Sequence, residues 1–274
     1  MRWRLTIEYD GSPYLGWQSQ RGGGGVQDAL SDAVEKRCGE RLNVFGAGRT
    51  DRGVNARGQI GHLDLDGHHW TADKIMAGIN FHLKPAPVAI LAVAPARDDF
   101  DARFSALARH YEYKIISRRA PLTVDLGHAW FVPYPLALAP MQEAAKIFVG
   151  HHDFTTFRSS QCQAASAVKT LSQLEVSQDG EVFTITASAP SFLHHQVRSL
   201  AGVLKVVGDG KFSLEQARGV LQARDRTLCP QVAPAEGLTF MHVDYPPELL
   251  LSLIHISEPT RPLYISYAVF CLKK

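Results

Sequence analysis

Cysteine is scarce in this 274-residue chain, and the four present, Cys38, Cys162, Cys229 and Cys271, form no Cys-x-x-Cys pair. That excludes a zinc ribbon and the disulfide framework of a small secreted domain. Net charge is also small, +2 with histidine neutral, so bulk charge does not announce a polyanionic partner. No apolar run approaches the roughly 18 residues of a membrane span. The first residues, Met1-Arg2-Trp3-Arg4-Leu5-Thr6, lack the apolar stretch of a signal peptide. No Gly-Lys-Ser/Thr follows the glycine run Gly22 to Gly25, which is therefore a loop and not a P-loop. Asp64-Leu65-Asp66 lacks the threonine or valine that phosphoryl-transfer enzymes with an aspartate nucleophile want two residues on; His68 stands there. Histidines do cluster, at His68-His69, His151-His152 and His194-His195. Adjacent side chains on a helix or strand diverge, so no metal site is expected from them. The expectation is a cytoplasmic protein with no membrane segment and no metal.

What is present supports a folded core: 45% hydrophobic and 20% charged residues. Alternation predicts a strand over Arg2–Tyr9, stopped by Asp10-Gly11-Ser12-Pro13. Val26, Ala29, Leu30, Ala33 and Val34 recur at helical spacing and predict a helix over 26–37. Further expected elements are a short strand Leu42–Phe45, a strand Gly58–Leu65, a helix near 72–80 and a strand Val88–Val93. This first half resembles two β-α-β passes in a ferredoxin-like arrangement. The second half predicts a strand Ala108–Ile116, a helix Met141–Phe148, and a hairpin of Thr170–Val176 with Val182–Ala187 turned by Gln178-Asp179-Gly180. Helices over 194–207 and 213–223 and a strand Thr239–Asp244 follow. No sequence repeat relates the two halves.

Charge is unevenly spread. Between Ala102 and Arg119 stand Arg103, Arg109, Lys114, Arg118 and Arg119 against the single anion Glu112, a local basic run able to attract phosphates. In Ala47-Gly48-Arg49-Thr50-Asp51-Arg52-Gly53-Val54, glycines flank a polar centre, which means sharp turns and close approach of a ligand. Arg49, Arg52 and Arg57 surround one carboxylate, which suits an anionic polymer held by arginines with one acid kept for chemistry.

Gly48-Arg49-Thr50-Asp51-Arg52-Gly53-Val54 resembles the nucleophile loop of the tRNA pseudouridine synthase A family. Four further stretches resemble that family's motifs in order: Tyr9 to Gln20; Asp99 to Ala106 with Tyr111-Glu112-Tyr113; Phe192-Leu193-His194-His195-Gln196-Val197-Arg198; and Ala235-Glu236-Gly237-Leu238. The resemblance runs from about Leu5 to Pro246. It implies an α+β fold: two ferredoxin-like α/β halves, 1–106 and 107–247, forming a mixed, mainly antiparallel sheet with helices on one side and a basic active-site cleft between the halves. It further implies conversion of uridine to pseudouridine at positions 38, 39 and 40 of the tRNA anticodon stem-loop, with no cofactor and by a homodimer. Asp51 is then the nucleophile, Arg198 its ion-pair partner, and Tyr111 the residue lying over the target base, its hydroxyl available for proton transfer. Arg49 would hold the flipped nucleotide, with Arg52, Arg103 and Arg109 on the phosphates. The family usually has histidine where this chain has Asn55, which cannot titrate near neutral pH and is given no catalytic part. The competing reading is a non-catalytic RNA-binding protein on the same fold. The segment 248–274 fits neither; it resembles a translated sequencing-adapter read and is expected to be non-native and poorly ordered.

Overall fold

The computed structural model describes residues 1–67 and 69–250. In chain order its elements are β1 (Arg2–Tyr9), α1 (Val26–Cys38), β2 (Phe45–Gly46), β3 (Asn55–Asp64), α2 (Ala72–Leu83), β4 (Val88–Pro95), β5 (Ala108–Ser117), β6 (Trp130–Val132), α3 (Leu138–Phe148), β7 (Gly150–Asp153), β8 (Val168–Leu171), β9 (Gln173–Asp179), β10 (Val182–Ala189), α4 (Gln196–Gly208), α5 (Leu214–Ala223) and β11 (Leu238–Asp244). One mixed sheet runs through the molecule in the order β4-β1-β3-β11-β5-β10-β9, with β2 paired to β3 and β6 to β5. All its pairings are antiparallel except β11 with β3 and β6 with β5. Strands β7 and β8 form a separate ribbon.

The alternation read in the sequence is what divides the sheet into two faces. Trp3, Leu5, Ile7 and Tyr9 of β1, Tyr111, Tyr113 and Ile115 of β5, and Phe183, Ile185 and Ala187 of β10 are buried on one face. Against them α1 lays Val26, Leu30 and Val34, and α2 lays Ile75, Ile79 and Leu83, each at helical spacing. Fully burying a side chain of this size contributes roughly 1.5–3 kcal/mol. Helix α4 is buried nearly all round, at Val197, Leu200, Ala201, Val203, Leu204 and Val207, so it is the central helix of the second half. On the other face a small cluster of Ile60, Ala96, Phe100, Ala102 and Tyr245 seats the chain leading into β5.

Several boundaries differ from expectation, each for a local reason. Helix α4 begins at Gln196, not at residue 194, because His195 takes a left-handed backbone (φ 67°) that no helix continues through. The strand expected from Thr170 to Val176 is split at Ser172: Val168–Leu171 pairs with β7, and Gln173–Asp179 pairs with β10. The hairpin turn is Gly180-Glu181, with Gly180 at φ 56°. Of the short strand expected over Leu42–Phe45, Phe45 alone pairs with β3, and the pairing extends to Gly46. Strands β6 and β7 are too short to leave an alternating signature. Of the segment set apart from residue 248, Leu249 and Leu250 pack against the small cluster and Leu250 bridges Ala96; residues 251–274 lie outside the described residues, as does His68.

Candidate active site

The centre of the sheet brings three things together: the loop preceding β3, the inward face of β5, and the start of α4. The loop is clamped from below. The Trp17 N–H donates to the Thr50 carbonyl at 3.0 Å, the hydroxyls of Tyr9 and Thr50 hydrogen-bond at 2.8 Å, and Gln59 Nε2 donates to the Gly48 carbonyl at 3.0 Å. Gly16 makes the first contact possible. Its φ is +113°, and a Cβ there would lie 2.7 Å from the Thr50 carbonyl oxygen. Asn55 closes the far end: its Oδ1 accepts the Gly11 N–H at 2.8 Å and its Nδ2 donates to the Glu236 carbonyl at 3.3 Å. Asn55 is buried and lines a separate cavity beside β1 and β5 rather than this cleft, so it braces the loop from outside the cleft.

Held this way, Asp51 projects to the floor of a cleft of about 1120 Å³. Arg198 Nη1 donates to Asp51 Oδ2 at 2.9 Å, while its Nε donates to the Ala233 carbonyl at 2.8 Å, so the guanidinium is fixed at both ends. Two histidines reach the same carboxylate: His194 Nε2 lies 3.0 Å from Oδ1 and His195 Nε2 3.3 Å from Oδ2. Burial pushes the Asp51 carboxyl up, but the hydrogen bond from His194, the positive charge of His195 and His194 when protonated, and the hydrogen bond from Arg198 together hold it below the ordinary carboxylate range. Asp51 is therefore an anion at neutral pH. His195 itself is depressed, by burial first and by the cations His194, Arg198 and Arg226, against the opposing pull of Asp51; a neutral imidazole still donates through Nε2–H.

The convergence of His194 and His195 corrects the expectation that adjacent histidines point apart. The left-handed turn at His195 brings the two rings to 4.2 Å between centroids, both facing Asp51. With a guanidinium at 2.9 Å from the same carboxylate, the arrangement stabilises an anion and leaves a metal cation poorly placed beside it. A second grouping, His110, His242 and Asp244, lies on the opposite face of β5 and β11 from Tyr111 and does not line the cleft.

Tyr111 lines the cleft from β5, packed edge-on between Phe192 (5.2 Å between centroids) and Phe240 (4.7 Å). Burial above all, with the charge of Asp51 and the neighbouring Tyr9 adding to it, pushes its phenol far up, so it keeps its proton at neutral pH. Tyr9 beneath the loop is likewise pushed up, to about 12, by burial. Arg49 and Arg52 are exposed at the mouth. Arg103 lines the wall, its guanidinium over the exposed ring of Phe104. Arg109 also lines the cleft, yet its guanidinium donates to the carbonyls of Pro190 (2.6 Å), Ala47 (3.0 Å), Ala106 (3.3 Å) and Arg103. It ties the turn before β5 to the strand entering the Asp51 loop. The basic run from Ala102 to Arg119 does not form one patch: the alternation of β5 turns Lys114 toward Asp125 at 3.6 Å, and Arg118, past the end of that strand, faces Glu181 at 3.4 Å, both away from the cleft. The cleft lining nevertheless carries five arginines against one carboxylate.

Comparison with known proteins gives the family of the chain. The family model described as tRNA pseudouridine synthase matches residues 144–246. The tRNA pseudouridine synthase A of Rhizobium meliloti (strain 1021) is 54% identical over 246 residues, covering 89% of this chain and 99% of that protein. The chain belongs to the tRNA pseudouridine synthase A family. The protein of the same name from Mesorhizobium japonicum is 52% identical over 247 residues, with 89% and 99% coverage, so the membership rests on most of the chain's length, and with it the chain is an isomerase. A solved Cbf5-Nop10-Gar1 complex aligns over 74% of this chain and 44% of that one at 10% identity and a TM-score of 0.33, a likeness too remote to carry any functional inference. Among the described residues of this pseudouridine synthase A family member, no helix is long and apolar enough to cross a membrane. The structure brings Asp51, Arg198 and Tyr111, the three residues singled out in the sequence, into one cleft. The sequence offers the two histidines as part of the Arg198 motif and as an adjacent pair expected to diverge; it does not show their convergence, since nothing in a sequence reports a positive φ at a non-glycine residue.

Proposed function

We propose that the protein converts uridine to pseudouridine in the anticodon stem-loop of tRNA, at positions 38, 39 and 40, with Asp51 as covalent nucleophile. The observation that carries this reading is the geometry of one ionised carboxylate, gripped by Arg198 at 2.9 Å and by two imidazoles, on the floor of an arginine-lined cleft. The reaction breaks the N1–C1′ bond, turns the uracil and joins C5 to C1′; one proton leaves C5 and one is gained at N1. It needs neither an electron carrier nor a phosphoryl donor. A carboxylate that remains charged out of bulk water can attack C1′ of the sugar or C6 of the base, holding one fragment while the other reorients.

To reach Asp51 the target nucleotide must leave its helix, at a cost of a few kcal/mol in lost pairing and stacking. A stacking partner offsets part of that cost, roughly 1–3 kcal/mol per base. Tyr111, supported edge-on by Phe192 and Phe240, supplies a firm aromatic surface in the cleft. The exposed Arg49 and Arg52 have free N–H groups for the nucleotide's phosphate, and Arg103 extends the positive wall. Arg109 contributes charge to the wall while its N–H groups brace the backbone. A-form RNA offers side chains its phosphates and 2′-hydroxyls, which fits a cleft lined by arginines together with neutral hydrogen-bonding side chains such as Gln18, Gln161 and Gln163. The reading includes a cytoplasmic homodimer, across which the tRNA lies.

The test is Asp51→Asn, which keeps the side chain's shape and removes its charge. Binding of a tRNA transcript should stay within a few-fold of wild type while isomerisation disappears. Persisting isomerisation in that variant would reject Asp51 as nucleophile, and binding without isomerisation by the wild-type chain would favour an RNA-binding protein on the same fold.

A further inference from the structure

Building on Asp51 as the nucleophile, we infer that His194 and His195 are positioning residues: a backbone turn held left-handed at His195 swings both imidazoles onto Asp51 and fixes how its carboxylate faces the cleft. Two independent observations meet here. His195 has φ 67° and ψ 1°, a left-handed conformation uncommon outside glycine, though histidine adopts it more often than most side chains, as asparagine and aspartate do. Such strain persists only where the surroundings over-determine it, and it collects at functional sites. The surroundings do so. The Leu193 N–H donates to Gln196 Oε1 at 2.8 Å and the Gln196 N–H returns to the Leu193 carbonyl at 3.0 Å. The His194 carbonyl accepts the Ser159 N–H at 2.8 Å, and the His195 carbonyl accepts the Ser199 N–H at 2.8 Å inside α4.

The second observation is what the turn achieves. In an unbroken helix neighbouring side chains splay by about 100°; here His194 Nε2 and His195 Nε2 lie 3.0 and 3.3 Å from the two oxygens of one carboxylate. Oδ2 takes both Arg198 and His195, whereas Oδ1 takes only His194, the more exposed of the two rings. Oδ2 is thereby held and Oδ1 is the oxygen an incoming sugar or base can reach, by displacing one partly solvated imidazole. Among the described residues, the charged groups facing His195 are Asp51, His194, Arg198 and Arg226, and Asp51 is the one anion among them.

The experiment compares His195→Gly and His195→Asn with the wild-type chain, on tritium release from tRNA carrying 5-tritiated uridine and on thermal unfolding. Glycine relaxes the φ strain while removing the imidazole, so the unfolding midpoint should match or exceed wild type. Loss of orientation at a reacting group should lower kcat by roughly 10–100-fold, with KM within about threefold. His195→Asn tolerates the left-handed backbone and keeps an amide donor, and should recover part of the lost kcat. A His195→Gly enzyme with kcat within about twofold of wild type, or one whose activity falls only in step with its folded fraction, would overturn the inference. No tritium release from the wild-type chain would instead reject the isomerase reading beneath it, so the two failures are distinguishable.

Discussion

Replacing Arg198 with methionine keeps the length of the side chain and removes the charge beside Asp51. At 2.9 Å and an effective dielectric of 20, the attraction removed is about 6 kcal/mol. Much of that offsets the desolvation of the two groups, and His194 and His195 still face the carboxylate after the substitution. The expected net effect on Asp51 is therefore a rise of roughly one to three pKa units, or about 1.4–4 kcal/mol. Because the folded carboxyl sits below its ordinary value, its contribution to stability is present above the unfolded pKa and is lost as pH falls through the folded one. The wild-type advantage over Arg198→Met should thus be full above the variant's raised Asp51 pKa and shrink as pH falls through that value toward the lower wild-type one. Activity should respond in the same direction: the acid limb of kcat/KM for tritium release moves to higher pH by one to three units, and kcat falls. Measuring that profile between pH 4 and 8 decides the matter. An unmoved acid limb in a folded Arg198→Met protein would refute the claim that the guanidinium keeps Asp51 ionised.

Other expectations follow from single contacts. Gly16→Ala forces a Cβ to 2.7 Å from the Thr50 carbonyl oxygen at a φ of +113°, so it should lower the unfolding midpoint and reduce kcat together, by displacing the Asp51 loop. Arg109→Ala strips four backbone carbonyls of their donor and should cost roughly 2–4 kcal/mol in urea unfolding. Arg49→Ala should leave stability unchanged and reduce the salt dependence of tRNA binding by about one phosphate contact. An Arg109→Ala protein of wild-type stability would contradict the bracing role. Tyr111→Ala should weaken capture of the target base, whereas Tyr111→Phe keeps the ring between Phe192 and Phe240 and should bind tRNA as wild type does; a binding defect in Tyr111→Phe would contradict stacking as the basis of its contact.

The sheet was legible because β1, β5 and β10 alternate cleanly, and α1 and α2 carry their apolar residues three and four apart. The pairing of Asp51 with Arg198, separated by 147 positions, was not readable from spacing; it came from the resemblance of two ordered motifs. What stayed hidden has a physical cause in each case. A positive φ at His195 leaves no mark in composition, so the start of α4 was placed two residues early and the histidines were expected to diverge. The five cations between Ala102 and Arg119 look like one patch in sequence, but the two-residue period of β5 sends Lys114 away from Arg109, and Arg109 spends its donors on the backbone. Short strands such as β6 bury too few residues to show a period.

The most direct test is to incubate the purified chain with an unmodified tRNA transcript that has uridine at positions 38 to 40 and to map pseudouridine chemically along the whole molecule. Pseudouridine should appear in the anticodon stem-loop at those positions and be absent with Asp51→Asn. A transcript left unchanged by folded, tRNA-binding wild-type protein, or modified equally by the Asp51→Asn variant, would contradict a carboxylate-driven isomerisation in this cleft.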